Sequence, residues 1–443
     1  MRPRTLAELA SRLETEALDD RGVIVARVTT DSRTVHPGDL FVAIRGEAFD
    51  GNAFVEDAVA SGAAAVVTSR TDLLGTPRIV TTDTLTVLRD LAVIARSDIN
   101  VPVVAITGST GKTSTKDLLV AALPGACGAP RSYNNEVGVP LTILGTPPDA
   151  RFLVAEVGSR GRGHIEYLMP AVRPDVSVVT NLGVVHLETF GTTDELADAK
   201  YELIAGLAGS GTAVVPAAEP RLRRDHPGPV ITFGTESTAD VRAAGIEVDD
   251  SGRARFRLET AGQTVPVKLR IAGAHQAVNA TAAVAAGLAV GVDLATLASG
   301  LEAATGSQWR MEIHRGRFTV VNDAYNANPD SVEAAMRTVA EMPGRHIAVL
   351  GTMAELGPVE RAEHERIGRL AVDLGFASVV TVGNEPGIAQ AAGPIGRNVA
   401  DAGAAYTVVT RLIGEGDVVL VKASRAVGLE QLALRLAAEV GRP

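Results

Sequence analysis

VPVVAITGSTGKTSTK, residues 101–116, decides the fold. The β-branched run Val103–Ile106 predicts a buried parallel strand, which stops in a turn where Gly108 and Gly111 free the backbone. Lys112, Thr113 and Ser114 then open a helical run. Such a turn aims backbone N–H groups and the positive end of a helix at one point, and it supplies an ammonium and a hydroxyl for phosphate and Mg²⁺. The predicted ligand is a nucleoside triphosphate, met by Gly108, Ser109, Thr110, Gly111, Lys112, Thr113 and Ser114. Ile106 stands where the usual phosphate loop has its first glycine, so this is a shortened form. The loop alone leaves the reaction open.

Around this stretch the chain has 443 residues, enough for about three domains of roughly 150 residues each. A hydrophobic share of 46% and a charged share of 21% predict a soluble protein with a large core. Net charge of −10 argues against a nucleic-acid binder, which would present a basic face. Cys127 is the only cysteine, so an intramolecular disulfide is excluded and a reducing compartment is expected. The N-terminal stretch carries Glu8, Glu14 and Glu16 where a signal peptide would need an apolar core. No apolar run reaches the roughly 18 residues of a membrane span. A cytoplasmic protein without membrane insertion is expected, with a monomer as its simplest state.

In chain order, Thr5 is a plausible cap for a helix burying Leu6, Leu9 and Leu13, followed by short strands around Val23–Val28 and Leu40–Ile44. Residues 83–310 alternate helix and strand in the manner of a parallel sheet covered on both faces. Glu156 ends the strand FLVAE, and Asn181 follows the strand VSVVT, so both fall at the strand edge where α/β sheets collect ligands. His186 lies just beyond, and Lys200 lies on the helical run TDELADAKYELIAGL. Glu156 and His186 are far apart in sequence, but convergence on one metal is possible from this placement. A small-residue helix starts near His275, with Asn279 one turn on. From Phe318 a third alternation, with strands near FTVVN, HIAVLG, SVVTVG and DVVLVKAS, predicts a smaller α/β domain.

The ordered set DSRTVHPGDLFVAIRGEAFDG, ITGSTGKTS, NNEVGVPLT, EVGSRGRGHI, TNLGVVHLE, AKYEL, GAHQAVNA, DAYNANPDS, LGTMAELG and LVKASR covers nearly the whole chain and resembles the Mur ligase family. The resemblance implies three domains: a small α/β domain at 1–82 for a UDP-sugar peptide, a central parallel-sheet ATPase domain at 83–310, and a mobile Rossmann-like domain at 311–443. NNEVGVPLT, DAYNANPDS and LGTMAELG are most similar to the member that joins UDP-N-acetylmuramoyl-tripeptide to D-alanyl-D-alanine. The implied chemistry converts a carboxylate to an acyl phosphate with ATP, after which an amine attacks.

By the same resemblance Lys112 holds the terminal phosphates, Thr113 ligates a first Mg²⁺, Glu156 is also a metal ligand, and His186 helps hold a second Mg²⁺. Lys200 falls where family members carry a carbamylated lysine (N6-carboxylysine). Asn279, Arg310 and Asp323 match positions contacting ATP. Ser32, Arg33, Asp50 and Gly51 match the uridine-nucleotide region, with Arg45 nearby. Asn134, Asn135, Asn326 and Asn328 are expected to line the acceptor channel or the domain junction. Thr110, Asn52, Gln276, Thr352 and Ala423 depart from the commonest family residues, without removing a proposed metal ligand or the loop lysine. A related ligase, such as a folylpolyglutamate-type enzyme, or a non-ligating nucleotide switch are the alternatives.

Overall fold

The computed structural model describes residues 1–46, 49–130, 132–183, 190–207, 209–224, 226–385 and 387–441. Within them the chain forms a mixed α/β fold of three domains, each built on its own sheet.

The first domain opens on helix α1 (Leu6–Arg12), capped by the Thr5 side chain and burying Leu6 and Leu9. Its sheet contains β1 (Ala17–Leu18), β2 (Arg27–Thr29), β3 (Asp39–Val42), β4 (Ala65–Thr68) and β5 (Arg78–Val80), in the order β1-β5-β4-β3-β2. All neighbours but β1 and β5 run parallel. Helix α2 (Val55–Ala60) follows, and α3 (Thr84–Arg96) leads into the central domain. Leu40 and Val67 of the first sheet share one core with Leu88 and Leu91 of α3 and with Val103, Leu153 and Ile165, which fastens the two domains together.

The central domain runs through β6 (Val103–Thr107), α4 (Lys112–Ala122), β7 (Ala126–Gly128), α5 (Gly138–Leu144), β8 (Phe152–Glu156), α6 (His164–Val172), β9 (Val176–Val179), α7 (Thr193–Ala205), β10 (Thr212–Pro216) and β11 (Val230–Gly234). It continues with β12 (Val241–Val248), β13 (Arg253–Thr260), β14 (Gln263–Ala272), α8 (Gln276–Ala289) and α9 (Leu294–Ala303). The order β14-β13-β12-β11-β10-β9-β6-β8-β7 puts β6 between β9 and β8, with α4 carrying the chain over β8 to β7. Strands β7 to β12 and β6 pair in parallel, and the central three, β6, β8 and β9, are buried along their whole length. The central sheet is mostly parallel, as expected, and its far edge adds an antiparallel meander of β12, β13 and β14. Alternation is visible in RARFRLET, where Ala254, Phe256 and Leu258 are buried and the arginines between them face outward.

The third sheet comprises β15 (Glu312–Arg315), β16 (Thr319–Asn322), β17 (His346–Gly351), β18 (Ser378–Val382), β19 (Gly396–Val399) and β20 (Val418–Lys422), ordered β15-β16-β20-β17-β18-β19. Helices α10 (Pro329–Ala340), α11 (Glu360–Asp373), α12 (Ile388–Ala391), α13 (Ala402–Leu412) and α14 (Glu430–Ala437) accompany it. No helix among the described residues is long and apolar enough to cross a membrane.

Candidate active site

The phosphate loop leaves β6 and enters α4 through Gly108 and Gly111, whose φ angles are +145° and +76°. Both conformations favour glycine, and a side chain at either would strike Thr180 or Asn279. The neighbouring strand β9 braces the loop. Ser109 N–H donates to the Asn181 carbonyl at 3.1 Å, Thr110 N–H donates to Asn181 Oδ1 at 2.8 Å, and Asn181 Nδ2 donates to Thr110 Oγ1 at 2.6 Å. These contacts engage the Ser109 and Thr110 amides, so anion binding falls to the first turn of α4, whose N–H groups have no intrahelical acceptor. Lys112 Nζ lies back over the loop, donating to the carbonyls of Gly108 and Ser109 at 2.7 and 3.3 Å.

Strand register brings Glu156 to this turn, because the last residue of β8 pairs with Ile106 of β6. Its carboxylate is buried, with Oε2 accepting from the Thr113 hydroxyl at 2.8 Å and Oε1 from Asn134 Nδ2 at 2.7 Å. Arg310 arrives from the segment after α9. Its Nη2 donates to Thr113 Oγ1 at 3.0 Å and Ser132 Oγ at 3.1 Å, and its guanidinium lies 4.2 Å from the Tyr325 ring centroid. The residues on either side, Trp309 and Met311, have positive φ angles of 60° and 50°. Such a backbone persists only where its surroundings hold it, and here the held residue is Arg310.

Across the cleft, Asn322 of β16 pairs with Val421 of β20, so Asp323 and Lys422 emerge side by side. Lys422 Nζ donates to Asp323 Oδ2 at 2.6 Å, and Met311 N–H donates to Asp323 Oδ1 at 3.1 Å. Burial lowers the Lys422 pKa against the pull of Asp323. It also lowers that of Lys112, helped by the Arg310 charge and opposed by Glu156. His275, at the start of α8, is pushed down to about 4 by desolvation, with Asp323 opposing and Lys422 reinforcing the shift.

Ser109, Thr110, Gly111, Lys112, Thr113, Ser114, Glu156, Asn279, Arg310 and Asp323 line one cavity of about 440 Å³. A second cavity of about 300 Å³ continues from Ser109 and Lys112 past Asn134, Asn135, Asn326 and Asn328 to Ala354, Glu355, Ser424 and Arg425. Two of those asparagines also hold local structure. Asn135 Oδ1 accepts from Val137 and Gly138 N–H before α5, and Asn328 Oδ1 accepts from Ser331 N–H to cap α10.

Lys200 lines neither cavity. Thr192 and Glu195 form a capping box that starts α7, and one face of that helix buries Lys200 5.8 Å from the Phe190 ring centroid. Desolvation, reinforced by the charge of Lys112, pushes its pKa down to about 7. His186 lies outside the described residues. Ser32, Arg33, Arg45, Asp50 and Gly51 lie in the first domain and line neither cavity. There Asp31 pairs with Arg33 at 2.7 Å, Asp50 caps the turn over Gly51–Phe54, and a side chain at Gly51 would meet the Ile44 backbone at 2.7 Å.

Sequence reasoning gave no role to Ser132, Tyr325 or Lys422, which hold Arg310 and Asp323. Ser132 lies two residues before the quoted NNEVGVPLT, while Tyr325 and Lys422 sit within DAYNANPDS and LVKASR, so the signal was position in or near a motif.

A phosphate loop facing the third domain across a cleft, with a carboxylate beside its threonine and an arginine reaching the same hydroxyl, defines a nucleotide-dependent α/β enzyme of the phosphate-loop class. Residues 24–104, 106–287 and 309–425 match, in turn, the models for the Mur ligase family catalytic domain, the Mur ligase middle domain and the Mur ligase glutamate ligase domain. The UDP-N-acetylmuramoyl-tripeptide–D-alanyl-D-alanine ligase of Escherichia coli is 34% identical over 449 residues, covering 97% of each chain. The enzyme of that name from Mycobacterium bovis is 35% identical over 475 residues, covering 94% of this chain and 93% of that one. A crystal structure of MurF from Acinetobacter baumannii has a TM-score of 0.90 at 30% identity, covering 98% of this chain and 99% of that chain. MurF from Thermotoga maritima in complex with ADP gives 0.82 at 29% identity, covering 94% and 98%. The chain belongs to the Mur ligase family.

Proposed function

We infer that this chain ligates D-alanyl-D-alanine to UDP-N-acetylmuramoyl-tripeptide with ATP, giving the UDP-muramoyl-pentapeptide precursor of peptidoglycan. The relatives' shared name and near-complete coverage support the substrates. The observation that carries the chemistry is the continuity of the two cavities, which share Ser109, Lys112, Asn134, Asn326 and Asn328. A phosphoryl group held at α4 therefore borders the space where an amine would stand.

A carboxylate resists attack by an amine, so the tripeptide's terminal carboxylate first takes the γ-phosphoryl group from ATP, and ADP leaves. The acceptor amine then attacks the acyl carbon and loses a proton, and phosphate departs with the acyl–oxygen bonding pair. Lys112 and the first turn of α4 bind the phosphates and offset charge as it moves. Arg310 adds a second cation against the same Thr113. Asn279 and Asp323 hold the nucleotide from opposite sides, and closure of the third domain completes the site. Ser32, Arg33, Arg45, Asp50 and Gly51 serve the uridine end of the donor in 1–82, while Asn134, Asn135, Asn326 and Asn328 line the acceptor side, with 83–310 as the ATPase unit and 311–443 as the closing unit.

Magnesium fits the donor set beside the loop. Thr113 Oγ1, Ser132 Oγ and Glu156 Oε2 present hard oxygen donors, with 2.8 Å between the threonine hydroxyl and each partner. Among the described residues no three His, Cys, Asp or Glu side chains gather for a metal, so phosphate oxygens and water would complete the shell. Thr113 and Glu156 would serve as metal ligands, with His186 helping to hold a second ion, and the ions would supply charge neutralisation at the transferring phosphoryl. Carbamylated Lys200 would supply an anion near them. Reliance on ATP and a nucleotide-activated precursor supports a cytoplasmic enzyme, with a monomer as its simplest state. The decisive assay incubates the protein with ATP, Mg²⁺ and UDP-muramoyl-tripeptide and measures product mass with and without D-alanyl-D-alanine. Failure to form a pentapeptide overturns the assignment.

A further inference from the structure

The loop after β17, Thr352–Leu356, forms one wall of the 300 Å³ cavity through Ala354 and Glu355. Two consecutive amides of that loop are held by side chains from other elements. Met353 N–H donates to His364 Nε2 at 2.9 Å, and Ala354 N–H donates to Ser424 Oγ at 2.8 Å. Ser424 N–H in turn donates to the Thr352 carbonyl at 3.1 Å. Glu355, the next residue, sits at φ +64°, a conformation that a non-glycine residue keeps only when its neighbours are fixed.

His364 lies on the second turn of α11 and is fully buried, away from the cavity. Its other nitrogen, Nδ1, stands 2.7 Å from the Glu360 carbonyl. A carbonyl can only accept and an amide N–H can only donate, so the two partners fix the ring as the tautomer with its proton on Nδ1. A buried histidine so fixed has no free valence for chemistry. What it controls is the placement of Met353, whose side chain is buried in the third domain's core, and thereby the cavity wall two residues on.

We propose that His364 is a positioning residue for the amino acceptor: its unprotonated Nε2 sets the Met353–Glu355 wall against which the dipeptide is held for attack. Displacing that wall misplaces the amine while leaving the phosphate loop untouched. This rests on the acceptor occupying that cavity.

Paired amide substitutions separate the ring's two contacts. His364→Gln offers an acceptor near the Nε2 position, whereas His364→Asn keeps a polar group near Nδ1 and cannot reach Met353. With both variants checked by thermal melting, KM is measured for all three substrates. The expected result is a KM for D-alanyl-D-alanine raised about tenfold in His364→Asn and close to wild type in His364→Gln, with KM for ATP and UDP-tripeptide changed less than about twofold. Equal behaviour of the two variants, a common rise in all three constants, or no change overturns the proposal. Wild-type protein that rejects D-alanyl-D-alanine overturns the assigned reaction instead, and the same contrast read on whichever amine it uses still decides the role of His364.

Discussion

Arg310 Nη2 stands 3.0 Å from Thr113 Oγ1, so a residue at the entrance to the third domain touches the first turn of the phosphate-loop helix. That hydroxyl also bonds Glu156, which makes Thr113 the point where a cation, a carboxylate and the helix terminus meet. Under the proposed mechanism this contact would link domain closure to phosphate neutralisation. Arg310→Lys keeps the charge but loses the planar stack on Tyr325 and the shared contact to Ser132. The expected outcome is a fall in kcat of about 10²-fold at saturating substrates, with a smaller change in KM for ATP. A variant turning over at the wild-type rate would remove Arg310 from the reaction.

Glu156→Gln tests the oxygen set beside the loop. The substitution preserves shape while removing the charge that a hard cation needs. Turnover is expected to drop at least about tenfold, and the Mg²⁺ concentration for half-maximal activity to rise by a similar factor. Titrating Mg²⁺ at fixed ATP reads both. An unchanged Mg²⁺ curve would place the metal elsewhere.

The loop, the strand ends and the order of domains were legible because each is a local pattern: a β-branched run, two glycines, a lysine followed by hydroxyls. Glu156 was legible for the same reason, standing at the last position of its strand. Ser132, Tyr325 and Lys422 were not, since their roles come from register between distant strands and from a contact across the cleft that no local pattern encodes. The β12–β14 meander was also missed, although alternation in RARFRLET carried its signal. Asn135 and Asn328, expected to line the acceptor channel or the domain junction, also cap local structure with their side-chain oxygens.

Asp323 and Lys422 predict a stability effect separate from catalysis. The pair is buried and hydrogen-bonded, so Asp323→Asn leaves an ammonium without its counter-charge. Loss of about 3–5 kcal/mol from the third domain is expected, measured by denaturant unfolding. Adding Lys422→Met should recover part of that loss, because the stranded charge goes with it. Strict additivity of the two substitutions would contradict the coupling.

His275 predicts acid sensitivity. Its folded-state pKa of about 4 lies below the ordinary 6.5, so on acidification the unfolded chain takes up the proton first. The group's contribution to stability is present above pH 6.5 and is lost as pH falls towards about 4. The ring borders a cavity open to water, which holds the expected size to about 1–2 kcal/mol. His275→Gln should flatten the fall in melting temperature across that window. An identical pH profile in the variant would assign the acid transition to other groups.

Lys200 carries the last test, because burial gives it a property that carbamylation requires. Only the neutral amine adds CO₂, and a pKa near 7 leaves a substantial neutral fraction at neutral pH, where an ordinary lysine at 10.5 would have almost none. The folded state binds fewer protons than the unfolded chain between those values, so this group's penalty on stability fades as pH rises from about 7 to 10.5. A carbamate would replace this cation with an anion and so relieve the repulsion from Lys112 that helps lower the pKa. Intact-protein mass measured under CO₂ should show one added CO₂, lost on acidification and absent in Lys200→Arg. That variant keeps a cation and is expected to lose at least about 10²-fold in kcat, whereas depleting CO₂ should lower wild-type activity reversibly until bicarbonate is restored. Full activity of Lys200→Arg in CO₂-free buffer would eliminate the carbamate.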